Sequence, residues 1–184
     1  ERYFRAQRGV VLCAGGFIMN EDMVREYCPQ FLDNKTQIGN PNDTGSGIQM
    51  GLSVGARAIN MHEGFLSLPF YPPATLTFGI FINGQGQRFI NEDAYHGRIG
   101  SFLVNQSYPV YLILNVADYG NYETESWLQA PVVATGETLD ELVSELNLPP
   151  GQLEMTVNRF NSDVAEGIDT LFHKDAAWLK TLEA

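Results

Sequence analysis

Glu92, Tyr95 and His96 stand at i, i+3 and i+4. One helical turn would set their carboxylate, phenol and imidazole on a common face. Three such groups side by side can relay a proton. Arg88, Asp93 and Arg98 crowd the same stretch, Gly84 to Arg98, and a solvated turn with Arg88 paired to a carboxylate would read the same way. Two glycine-bearing segments suggest ligand contact. Ala14-Gly15-Gly16 closes an apolar run, where glycines let a main chain approach a ligand closely; a plain tight turn has the same composition. Asn42-Asp43-Thr44-Gly45-Ser46-Gly47 runs into a helix-forming segment, which would present N–H groups and a positive dipole end to an anion. An ordinary N-cap reads alike. No G-x-G-x-x-G occurs, so a complete dinucleotide fingerprint is absent.

Other chemistries find little support. His62, His96 and His173 are far apart and show no metal-ligand spacing. The chain of 184 residues carries 11 Lys+Arg against 22 Asp+Glu, a net −11, with no basic run; such a chain repels phosphate backbones, which argues against nucleic acid as a partner. No apolar stretch approaches the roughly 18–20 residues of a membrane span. Hydrophobic residues at 44% and charged residues at 18% indicate a globular chain. Cys13 and Cys28 are too few for a disulfide framework, and their contexts predict buried thiols in a reducing, cytoplasmic setting.

The elements that must position these groups follow from periodicity and caps. Gly9 to Phe17 reads as a buried strand ending in a tight turn. Its closeness to the first residue predicts sheet partners upstream, hence a piece of a longer polypeptide. Asn20 should cap a short helix that Cys28-Pro29 ends. A loop at 33–47 precedes a helix from about Gly47 to Arg57, and Ala58 to Leu68 should be a strand followed by irregular chain. The run Leu68 to Pro73 is a candidate hinge. Beyond it, Phe78 to Asn83 and Gln87 to Ile90 flank Gly84-Gln85-Gly86 as a hairpin. His96 to Asn105 is expected to be helical, Pro109 to Asn115 a strand, and Val132 to Ala134 a short strand. Thr138 opens a helix to about Leu146. Pro149-Pro150 starts another to about Glu166, with Leu153, Val157, Phe160 and Val164 on one face. A last short helix holds Trp178 and Leu179. Without regular βαβ alternation after residue 70, the second part is α+β; the first looks like part of an α/β nucleotide-binding domain.

Taken in order, R-G-V-V-L-C-A-G-G-F at 8–17, T-G-S-G-I-Q-M-G-L-S-V-G-A at 44–56 and G-I-F-I-N-G-Q-G-Q-R-F-I-N-E at 79–92 resemble the fumarate reductase/succinate dehydrogenase flavoprotein family. That family includes the 3-ketosteroid dehydrogenases. R-F-N-S-D-V-A-E-G-I-D-T-L-F at 159–172 resembles the end of its cap domain. The resemblance implies an α+β cap at 69–184 joined to a partial α/β FAD-binding domain at 1–68. It implies FAD as cofactor, held by Ala14, Gly15, Gly16, Thr44, Gly45, Ser46 and Gly47; the family often has Asp at the position of Ser46. Dicarboxylate-reducing members carry His-Pro-Thr before the hairpin, where this chain has Tyr71-Pro72-Pro73-Ala74-Thr75. They also place a relay Arg where this chain has Tyr95, and the lost charge disfavours a small diacid.

A tyrosine near that place is similar to the ketosteroid dehydrogenases. The implied activity is dehydrogenation of a 3-ketosteroid or similar apolar ketone, with hydride passing to flavin N5. Tyr95 would handle the proton, His96 would assist, and Glu92 would orient the turn or pair with Arg88. The implied partners are a steroid-like small molecule and the rest of the protein's own chain, without which the piece should be inactive. The alternatives are a fumarate- or enoate-reducing flavoprotein and an interaction domain that binds no flavin.

Overall fold

The computed structural model describes residues 2–32, 36–67, 73–120, 122–126 and 130–183. They divide into two units, Glu1–Gly64 and Phe65–Ala184. Most of the candidate hinge, residues 68–72, lies outside the described residues.

In the first unit, α1 spans Glu21–Tyr27. The Asn20 side chain accepts from Met23 N at 3.1 Å, and Glu21 and Asp22 occupy the positive first turn. Pro29 follows the C-cap Cys28 and opens a 3-10 turn, Pro29–Phe31. Met23, Val24 and Cys28 are buried, and burial pushes the Cys28 thiol pKa up. The second helix, α2, is Ser46–Ser53, shorter at its end than expected. Gly55, at φ +87, turns the chain so that its N–H reaches Leu52 O at 3.0 Å and Ala56 N–H reaches Gly51 O at 3.0 Å. This paired closure with a left-handed glycine terminates a helix.

The expected strand at Gly9–Phe17 does not form among the described residues: Val10 and Val11 are 77% and 86% exposed. Cys13 is exposed with them, against the expectation of two buried thiols. An extended segment becomes a strand only when a neighbour takes up its N–H and C=O groups, and no described segment does so here. The same reason applies to Ala58 onward, which is irregular.

In the second unit, β1 (Ile80–Ile82) and β2 (Tyr111–Ile113) pair antiparallel, Ile80 opposite Ile113 and Ile82 opposite Tyr111. Alternation along β1 divides the core. Ile80 and Ile82 join Leu148, Leu153, Val157, Phe160 and Leu182. Phe81 joins Leu76, Ile90, Ile99 and Tyr122. The helices are α3 (His96–Leu103), α4 (Val116–Tyr119), α5 (Tyr122–Glu125), α6 (Leu139–Glu145) and α7 (Gln152–Glu166). Thr138 caps α6 through Glu141 N at 3.3 Å, while Gly167, at φ +72, closes α7. Of the expected α7 face, Leu153, Val157 and Phe160 are buried and Val164 packs beside them. A 3-10 turn at Ala176–Trp178 stands where the last helix was expected.

The expected hairpin narrows to a single bridge between Ile82 and Arg88. Asn83 holds the turn, its Oδ1 accepting from Gln85 N at 3.0 Å and Gln87 N at 3.1 Å. Arg88 then turns inward, and the chain leaves the sheet. Val132 to Ala134 forms no strand among the described residues. Near the C-terminus two asparagine side chains grip the main chain. Asn115 Nδ2 donates to Thr181 O at 2.9 Å, and its Oδ1 accepts from Glu183 N at 2.8 Å. Asn161 does the same to Leu182 O and N, both at 2.9 Å.

Candidate functional site

The two glycine-bearing segments of the first unit come together. Gly45 N–H donates to Gly16 O at 2.9 Å, and Met19 N–H to Asp43 O at 3.0 Å. Asn20 adds Nδ2 to Thr44 O at 2.9 Å, so one residue caps α1 and ties down the second turn. Gly15 and Gly45 have φ +75 and +76, where side chains are strained. A Cβ at Gly15 would run into the Asp43 carboxylate, and one at Gly47 would stand 2.8 Å from Ala14 Cβ. Asp43 is fixed by Asn40 N–H at 2.8 Å to its Oδ2. Gly16 meets no such obstacle; it contributes its carbonyl.

Beside the turns lies an open cleft of about 380 Å³, lined among others by Ala14, Gly15, Gly47, Ile48, Gly51 and Arg57. Gly45 is the N-cap of α2 and has no side chain with which to cap it. The first-turn N–H groups thus take no side-chain cap from the N-cap position. Close-approach glycines, an uncapped helix start and a cleft between them suit a phosphate-bearing cofactor such as FAD. Of the residues expected to hold FAD, Ala14, Gly15 and Gly47 line the cleft, while Gly16, Thr44, Gly45 and Ser46 are not among its lining; Thr44 and Ser46 are exposed.

In the second unit the structure separates residues that the i, i+3, i+4 spacing would group. The helix α3 begins only at His96, with Tyr95 as its extended N-cap at ψ 134. Asn91 Oδ1 accepts from Asp93 N at 2.9 Å, a local turn that competes with helix. Glu92 therefore points inward, 1% exposed, while Tyr95 is 71% exposed. Tyr95 and His96 remain adjacent, ring centroids 6.5 Å apart, and Phe65 lies 5.9 Å from Tyr95.

The inward groups form a buried tetrad. Arg88 donates Nε to Glu92 Oε1 at 2.9 Å and Nη2 to Glu92 Oε2 at 2.6 Å. The same Nη2 lies 2.8 Å from Asp169 Oδ2. Lys174 Nζ donates to Gly79 O at 2.7 Å and stands 3.4 Å from Glu92 Oε2. Phe81 N–H donates to Glu92 Oε1 at 3.0 Å. The guanidinium lies between the rings of Phe160 and Phe172, at 5.1 and 5.0 Å. Two cations thus face two carboxylates in a buried site.

The protonation of the tetrad follows from these contacts. Burial works against the charged Arg88, but hydrogen bonds and charge from Glu92 and Asp169 hold its pKa above the ordinary value. Burial would raise the Asp169 carboxyl, and donors from Arg88, Lys174 N and Phe172 N overcome this and lower it. For Lys174 burial wins, and its pKa is lowered despite Glu92. Two further contacts fasten the same loop to the turn: Asn91 Nδ2 to His173 O at 3.1 Å and Asp175 N to Asp93 Oδ2 at 2.6 Å.

The pairing of Arg88 with Glu92 is legible from sequence; its burial is not. Asp169 and Lys174 escape sequence reasoning because nothing near them in the chain signals a partner at 88–92. Tyr71 and Pro72, which stand in place of the His-Pro-Thr segment, lie outside the described residues. Among the described residues no cluster of His, Cys, Asp and Glu could hold a metal, and no helix is long and apolar enough to cross a membrane.

Similarity to known proteins extends along the whole chain. It is 28% identical over 204 residues to NADH:acrylate oxidoreductase of Vibrio harveyi, covering 100% of this chain and 20% of that protein. It is 27% identical over 202 residues to 3-oxosteroid 1-dehydrogenase of Mycolicibacterium smegmatis, covering 94% and 36%. Among solved structures, 3-ketosteroid-delta4-(5alpha)-dehydrogenase from Rhodococcus jostii RHA1, in complex with 4-androstene-3,17-dione, superposes with a TM-score of 0.80 at 33% identity. That match covers 98% of this chain and 38% of the other. The chain thus spans between a fifth and about two fifths of the length of these relatives. The family model of the FAD binding domain matches residues 1–181, and the chain belongs to that FAD binding domain family.

Proposed function

We propose that the chain is part of an FAD-dependent dehydrogenase acting on an apolar ketone of the 3-ketosteroid type. Residues 1–68 would belong to its FAD-binding domain and 69–184 to the α+β cap. FAD, when bound, supplies the hydride acceptor. Ala14, Gly15 and Gly16 would lie along it, and the start of α2 at Thr44 to Gly47 would receive its anionic part. Tyr95 would touch the substrate near its carbonyl and handle the proton lost from the adjacent carbon. A neutral phenol can take that proton only as it gives up its own, and His96 is the neighbouring imidazole that would accept it. Glu92, saturated by Arg88, Phe81 N and Lys174, would hold the turn and take no part in the relay.

The observation that carries this reading is the Tyr95 corner. An exposed phenol tops a turn whose own guanidinium, Arg88, is buried and paired with Glu92 and Asp169, leaving it unable to grip a substrate carboxylate. A second reading, reduction of a small enoate, is favoured by Arg98, which is exposed on α3 and makes no ion pair among the described residues. Turnover of 3-ketosteroids against short unsaturated acids by the complete FAD-loaded protein separates the two. In the ketone reaction Tyr95→Phe should lower kcat by about 10²-fold or more with FAD stoichiometry unchanged. Wild-type turnover by that variant would remove Tyr95 from the mechanism.

A further inference from the structure

The geometry points to Phe65 as a specificity-determining residue of the Tyr95 site, one that recognises the second and later rings of a flat polycyclic ketone. This rests on the dehydrogenase reading above and extends it. Phe65 is 65% exposed and Tyr95 71%, yet the two rings are already assembled, centroids 5.9 Å apart and planes inclined at 55°. Exposed aromatics fixed in mutual contact offer a large apolar surface at little entropic cost on binding.

The helix beneath them is shaped to allow this contact. A Cβ at Gly97 would stand 2.7 Å from Phe65 Cε2, 2.8 Å from its Cδ2 and 3.2 Å from Tyr95 Cε1. A Cβ at Gly100 would collide with Leu66 O and stand 2.9 Å from Leu66 Cβ. Gly97 and Gly100 are thus a seat for the Phe65–Leu66 segment, which fits only while both positions lack a side chain. The seat lays the Phe65 ring alongside Tyr95. A ketone held at the Tyr95 hydroxyl would place its first ring near that phenol. Phe65, to one side, would meet what extends beyond that ring. A single-ring ketone would reach Tyr95 and leave Phe65 uncovered.

The test compares two substrates in the complete FAD-loaded protein: a four-ring 3-ketosteroid and a one-ring cyclohexanone. Phe65→Ala should lower kcat/KM for the steroid by on the order of 30-fold and for the one-ring ketone by less than threefold. Phe65→Leu, which keeps apolar bulk, should fall between. A residue that served folding alone would lower both substrates together. If the steroid-to-cyclohexanone ratio moves by less than threefold in both variants, the assignment is overturned, whether or not overall activity falls. If the unsubstituted protein turns over neither ketone, the dehydrogenase reading itself fails and the role of Phe65 fails with it.

Discussion

In Glu1–Gly64 the contacts that join residues 14–16 to 43–47 are main-chain hydrogen bonds, from Gly45 to Gly16 and from Met19 to Asp43, together with glycine approaches. In Phe65–Ala184 the contacts that join residues 88–93 to 169–175 are mostly side-chain ones: two carboxylates, a guanidinium, an ammonium and two flanking rings. On the proposed reading the first is a cradle for a cofactor, which must expose its N–H groups and so is built from residues with nothing to put in the way. On the same reading the second is a turn that carries a working side chain, which must be held rigid from behind; buried charge does this when every member is paired. The first arrangement is sensitive to added atoms, the second to removed charge.

That contrast orders the expected effects. Arg88→Met strips Glu92 of its bidentate partner and leaves Asp169 without its cation. Breaking a buried pair from one side costs about 3–5 kcal/mol, read as a fall in unfolding free energy of the complete protein. Asp169→Asn should cost less, about 1.5–3 kcal/mol, because Glu92 still neutralises Arg88. Its effect should also depend on pH. The Asp169 carboxyl pKa is lowered in the fold, so its stabilisation is complete above the unfolded pKa of about 3.9 and is lost as pH falls through the folded value. The gap in melting temperature between wild type and Asp169→Asn should therefore begin to narrow below about pH 4 and keep narrowing as pH falls; a gap that stays constant there would deny the carboxylate its role.

Gly45→Ala has the smallest expected cost to stability, about 1–2 kcal/mol for a left-handed alanine. Its new methyl would stand 2.9 Å from Phe17 Cβ and would also run into the Met23 thioether. The two turns would be pushed apart, so FAD affinity, measured by titration of the apoprotein, should fall while the Tyr95 corner is unaffected. An unchanged affinity would break the contrast on the side of the first unit.

Much of this architecture is legible from local chemistry. Asn20 and Thr138 cap helices whose starts they announce, and Gly167 ends α7 by adopting a left-handed conformation. The glycine turns at 14–16 and 44–47 are legible as candidates, though their hydrogen-bonded contact is not. What escapes is whatever depends on a distant partner. Val10 to Cys13 has strand composition, but composition cannot supply the neighbouring strand that would make it one. The Glu92, Tyr95, His96 spacing is helical, yet Asn91 turns the chain locally and α3 begins at His96. Arg88 resembles an outward hairpin residue until Asp169 and Phe172 are seen to enclose it.

On the tail at 181–183 the amides of Asn115 and Asn161 address only peptide groups. Such a grip reads the path of the tail and is blind to its spelling at 181 and 183, which are exposed, while Leu182 is chosen by the core it enters; each gripped nitrogen must also keep its hydrogen. Proline at 182 or 183 is the one substitution that this latch is built to refuse.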